Sequence, residues 1–193
     1  MKSGKVWLIG LKVAFLVICV TFGTAHSQDL SGWVGKWFKL TYSYKGYETY
    51  TNPTHIPETQ KFKETLYVKI MAWDTIDPSN PFLKCSGYGE DEEENVYQNN
   101  FDLRYLGGTD LDFLILCHFV SEEQEHIGFT ARISGKESSK GTLKSATFKT
   151  LGGYSWERSS DPFNPRRDSQ AEELTISGSL ISESRLPSWV PQF

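Results

Sequence analysis

The chain is poor in the residues that usually announce a reaction. Its 193 residues include 3 cysteines and 4 histidines, with no Cys-x-x-Cys or His-x-x-x-His spacing of the kind that holds zinc. There is no Gly-x-Ser-x-Gly elbow, and none of His55, His118 and His126 stands beside a nucleophile motif. Cys117 and His118 are sequence neighbours, so on a strand they face opposite ways and cannot act together. No catalytic residue, metal site or cofactor is therefore expected. Also missing is any sustained three-four apolar stripe after residue 28, which excludes helical bundles and coiled coils. A basic surplus is missing too. Setting aside the three lysines of the first 27 residues leaves 17 basic against 24 acidic side chains, net −7, which argues against a nucleic-acid partner. No apolar run reaches the ~20 residues that span a bilayer, so no stable membrane span is expected.

What is present begins with a leader. Lys2, Lys5 and Lys12 form a basic region, Val13 to Phe22 is apolar or nearly so, and Ala25-His26-Ser27 supplies small residues for cleavage. Residues 1–27 read as a signal peptide, placing the mature start near Gln28 and the protein in a secreted or periplasmic compartment. The remaining residues, 28–193, fit one domain with a proper core.

That domain reads as all-β. Eight runs of β-branched and aromatic residues alternate with Gly, Pro, Asn and acid clusters: roughly Lys36–Tyr44, Lys61–Trp73, Pro81–Tyr88, Val96–Leu106, Leu111–Val120, His126–Ser134, Gly141–Leu151 and Glu173–Ile181. Gly107-Gly108-Thr109-Asp110 makes a tight hairpin turn, and the consecutive acids Glu90 to Glu94 make a solvated hairpin tip. The long connections are Lys45–Gln60 and the Pro-rich Glu157–Ala171. Mostly short sequential links favour an eight-stranded antiparallel meander closed into a barrel, which leaves no edge strand; a two-sheet β-sandwich is the alternative.

Two features test that picture. The fifth run places Leu111, Phe113, Ile115, Cys117 and Phe119 on one face and Leu114, Leu116 and Val120 on the other, so both faces call for cover. The apolar, Pro-braced tail 186–193 is one candidate cover, and a second copy in a homodimer is the other. Cys85 and Cys117 are the two mature cysteines, and an oxidising compartment allows one disulfide between them. A meander puts them two strands apart, roughly 9–10 Å, which is too far to bridge without a bulge or twist. Both outcomes stand open at this stage.

Aromatics are 14% of the chain and are the strongest compositional feature. Small-ligand pockets are mainly apolar and aromatic. On that ground the candidate lining residues are Tyr42, Tyr44, Tyr67, Trp73, Phe101, Tyr105, Phe129 and Trp156. Gly35-Lys36-Trp37 opens the first strand soon after a leader, and with the eight-strand meander it resembles the Gly-x-Trp opening of the lipocalins. The resemblance implies that Trp37 packs at the closed end of the barrel against a basic residue after the last strand, for which Arg185 stands at a comparable place. It also sets a register problem. With Trp37 inward, Phe38, Leu40, Tyr42 and Tyr44 would point out, unless a bulge shifts the strand by one.

The functional expectation is a secreted or periplasmic, non-enzymatic binding protein for a small hydrophobic or amphipathic molecule. The alternative is a β-sandwich module that recognises carbohydrate or a cell-surface partner through exposed Trp and Tyr.

Overall fold

The computed structural model describes residues 28–50, 58–90, 94–120, 126–158 and 167–191. The side chains of 47–50, 58–60, 62, 126, 155–158 and 167–173 lie outside the described set, as does the expected leader 1–27.

Eight strands follow in order: β1 Trp37–Tyr50, β2 Glu58–Asp74, β3 Phe82–Glu90, β4 Val96–Gly108, β5 Asp112–Val120, β6 His126–Glu137, β7 Leu143–Arg158 and β8 Arg167–Ile181. Each pairs antiparallel with the next, and β8 returns to pair with β1, so the sheet is a closed meander barrel and not a two-sheet sandwich. This architecture is consistent with a lipocalin-like fold. Among the described residues no helix is long and apolar enough to cross a membrane.

Several strands outrun the apolar alternation that marks them in the sequence. β1 continues to Tyr50, β7 to Arg158, and β8 begins at Arg167, because the β1–β8 ladder pairs through Tyr50 with Arg167 whether or not side chains there reach the core. The two long connections are correspondingly shorter than the sequence suggests. A bulge between Ile70 and Ala72 inserts one residue, so Ile70 and Trp73, three apart, both pack on the core.

The register problem resolves by turning Trp37 out. Phe38, Leu40, Tyr42 and Tyr44 face the barrel core, where four apolar side chains outweigh one, and Trp37 therefore takes the outer face. Trp37 is still buried, at 2% exposure, because the chain's tail folds over it. Trp37, Tyr67, Tyr88 and Val190 form an outer cluster joined by Ile181, Leu186 and Trp189. The tail thus covers β1–β3 and not β5, whose Leu114 and Val120 stay exposed.

The plug expected of Trp37 is supplied by Trp33. A 3-10 turn, Ser31–Trp33, carries that ring under the barrel, 6.1 Å from Phe38 and 5.3 Å from Phe113, and its Nε1 donates to the Asp110 carbonyl at 2.7 Å. Arg185 sits exposed in a 3-10 turn after β8, and the cation over the Trp37 ring is Lys69, 5.3 Å from its centroid. Neither half of the expected Trp37–Arg185 closure is adopted.

Candidate functional site

The barrel interior divides into two ends. At the end closed by Trp33, the expected lining residues Trp73 and Tyr105 are packing groups. Their rings lie 6.0 Å apart edge-on, Tyr105 is 6.1 Å from Phe113, and the Tyr105 hydroxyl donates to the Gly108 carbonyl at 2.9 Å. Burial pushes the Tyr105 hydroxyl above its ordinary pKa. The turn beneath them is as the glycines require: Gly107 and Gly108 have φ of +140° and +129°. Thr109 closes the turn, its N–H donating to the Asp112 carbonyl at 2.8 Å and its Oγ1 accepting from the Asp112 N–H at 3.0 Å.

Toward the opposite end the inner wall becomes a set of partly exposed rings. Tyr42 and Phe129 belong to the buried core, while Tyr44, Phe101 and Phe119 pack against it with part of their surface open. Tyr42 and Tyr44 are 6.2 Å apart on β1, and Phe101 meets Phe119 edge-on at 6.4 Å across β4 and β5. Of the eight expected lining aromatics, Tyr42, Tyr44, Phe101 and Phe129 therefore face inward in this half. Tyr67 does not. It pairs with Lys39 on the outer register and stacks edge-on with Trp189 of the tail at 5.6 Å. The side chain of Trp156 lies outside the described residues, although its backbone pairs with His126 and Gln170.

Sequence reasoning passed over two residues in this half. Glu64 pairs with Tyr42 in register and so occupies an inner position, with Oε1 shut off from solvent. Tyr97 pairs with Gly89, and a Cβ on that glycine would stand 2.2 Å from the Tyr97 hydroxyl and 2.6 Å from Glu64 Oε1. The bare Cα of Gly89 is what makes room for both groups. The parity of β2 could have located Glu64, since it lies two residues before Leu66 and four before Val68 on the same face.

Cys85 and Cys117 are both free and both buried on the inner wall. Cys85 pairs with Phe101 and Cys117 with Leu103, so β4 stands between them and the allowed disulfide does not form. Burial pushes both thiols up, Cys117 to about 12. Such thiols are poor nucleophiles, because the thiolate is the reactive form.

Two ion pairs among the described residues lie on the outer face of the barrel. Asp112 accepts from Arg132 Nε at 2.7 Å and from Ser134 Oγ at 2.9 Å, and these partners, Arg132 first, hold its carboxyl down at about 2. Asp74 pairs with Lys84 at 2.9 Å and is lowered chiefly by that bond. Among the described residues no group of three or more His, Cys, Asp or Glu is placed to hold a metal ion. His118 is exposed, whereas His55 and the acidic residues 91–93 lie outside the described set.

No protein-family model, curated protein or solved structure matches the chain.

Proposed function

We propose that this chain is a non-enzymatic binding protein of lipocalin-like build. It takes a small apolar or amphipathic molecule into the end of the barrel opposite Trp33, and it works outside the cytoplasm, secreted or periplasmic. The observation that carries the reading is the difference between the two ends. One is sealed by Trp33, Trp73, Tyr105 and Phe113, while the other offers the partly open rings of Tyr44, Phe101 and Phe119. Rings with open surface at the mouth of a barrel suit a ligand that buries apolar area against them. The basic leader of residues 1–27 supports the compartment.

Thermal unfolding followed by tryptophan fluorescence, with octanol titrated in, tests the reading. A ligand held at 100 times its Kd stabilises the native state by about 2.7 kcal/mol, a shift of several degrees. No shift with octanol or longer alkanols, together with retention on a polysaccharide column, would replace the cup with an exterior sugar-binding face. That second reading has one described candidate ring in its favour, Tyr154, which is 49% exposed on the outer face over Gly128.

A further inference from the structure

We infer that the outer face of β1–β3 is a docking surface for a proline-rich peptide in polyproline conformation, and that the tail is a releasable strap holding the place of that peptide. This surface is separate from the barrel interior proposed above for a small molecule.

The face beneath the tail carries hydrogen-bonding groups that the tail does not use. Trp37 and Tyr88 are 2% and 1% exposed, and their rings lie 5.7 Å apart. Neither the Trp37 Nε1–H nor the Tyr88 hydroxyl has a hydrogen-bond partner among the described residues. Tyr67, opposite Tyr88 in register, adds a third ring. Donors buried without a partner weigh against closure of the strap, because water satisfies both once it lifts.

The strap's own conformation leaves those donors unpaired. Leu186 has φ −71° and ψ 146° ahead of Pro187, so the strap enters in polyproline conformation. It then turns: the Val190 N–H donates to the Pro187 carbonyl at 3.1 Å, as the Leu186 N–H does to the Glu183 carbonyl at 3.1 Å. Among the described residues the backbone hydrogen bonds of 185–190 are all local turns of this kind. The hold on the barrel comes from the apolar side chains of Val190, Leu186 and Trp189. A peptide that continues in polyproline conformation spends no carbonyl on itself. Its carbonyls are free to accept from Trp37 and Tyr88 while its proline rings pack on the three aromatic rings, as aromatic-lined surfaces take such peptides. The strap supplies the prolines and the apolar contacts of that ligand without its carbonyls.

Fluorescein-labelled decaproline, titrated into the full chain and followed by anisotropy against a Gly-Ser decapeptide, provides the test. Val190→Asp sets a charge where the strap is buried, so the strap should lift and decaproline should bind at least about tenfold tighter than to the unaltered chain. Adding Trp37→Phe, which keeps a ring and removes the donor, should then weaken binding about three- to tenfold. In the full chain Tyr88→Phe should move two readings in opposite directions. Decaproline binding weakens, whereas cleavage near Trp189 slows, because the closed strap no longer covers an unpaired hydroxyl. That pair of readings needs no strap variant, so it decides the matter even where Val190→Asp does not fold. Decaproline binding no tighter than the Gly-Ser control, or a Tyr88→Phe chain with both readings unchanged, overturns the inference. So does a concentration-dependent dimer of the full chain that Val190→Asp abolishes, which would put a second copy's strap on the face.

Discussion

Trp33 and Trp37 are both almost completely buried, yet they hold different parts of the molecule. Trp33 closes the barrel from within, and its Nε1–H ties the 3-10 turn to the β4–β5 hairpin through the Asp110 carbonyl. Trp33→Ala should therefore cost about 3–5 kcal/mol by urea unfolding. Trp33→Phe, which keeps a ring and loses the hydrogen bond, should cost less, with about 0.5–1.5 kcal/mol of its loss owed to that bond. Trp37→Ala should also cost about 3–5 kcal/mol, by opening the outer cluster. The two differ in what they release: only Trp37→Ala should loosen the tail, visible as faster proteolysis near Trp189. Asp112 supplies a pH-dependent contribution at the same scale. Its folded pKa of about 2 lies below the ordinary carboxyl value, so its stabilising effect is complete above about pH 4 and is lost as pH falls toward 2. Asp112→Asn should flatten that part of the stability profile and leave the neutral side unchanged in slope, measured as the urea midpoint against pH. The effect will be modest, because both Asp112 and Arg132 are substantially exposed.

At the scale of elements, the hairpin between β4 and β5 and the tail strap are the two pieces whose removal reads most clearly. Gly108 has positive φ, and a Cβ there would lie 2.3 Å from the Asp112 carbonyl oxygen and 2.6 Å from Phe113 Cα, so backbone would have to move. Gly108→Ala is expected to destabilise by about 1–3 kcal/mol or more, and Gly107→Ala by less, since its Cβ would meet open space. Equal costs at the two glycines would show that φ alone, and not the close approach to Phe113, sets the requirement. Deleting residues 186–193 uncovers Trp37, Tyr67 and Tyr88, so the truncated chain should lose stability and gain binding of an apolar dye on the face of β1–β3. The sequence was most readable at this scale. All eight strands and the Gly107–Asp110 turn follow from alternation and glycine placement, because a half-buried strand has to repeat every two residues. Strand ends were not readable in the same way: beyond Tyr44 and before Leu174 the ladder is held by backbone bonds, which leave little mark on side-chain type. The site was only half legible. Tyr42, Tyr44, Phe101 and Phe129 share a face by parity with core residues. Parity turns Tyr67 outward between Leu66 and Val68, but its burial there depends on where the tail lies; the same parity puts Glu64 inside, although by residue type it looks like one more surface charge between Lys63 and Thr65.

For the whole molecule, closure decides the fate of the thiols. In a meander closed by β8 against β1, no strand can shift in register without disturbing both of its neighbours. Cys85 and Cys117 are held on either side of β4, at roughly two strand spacings, and a bond between them would require β4 to be displaced. The native chain should therefore carry both thiols reduced after exposure to air, with the same thermal midpoint in the presence and absence of reductant. Burial holds both thiols protonated at neutral pH and keeps reagents out, so labelling by a thiol reagent should await opening of the barrel. Because each cysteine lies on an inner face between two paired strands, neither is exposed by fraying at a rim. Both should react at one common rate, equal to the global unfolding rate measured by tryptophan fluorescence when labelling is fast. A separate, faster rate at Cys117 than at Cys85 would mean that β5, with its exposed outer leucine and valine, opens independently of β3 and that the barrel does not unfold as one cooperative unit.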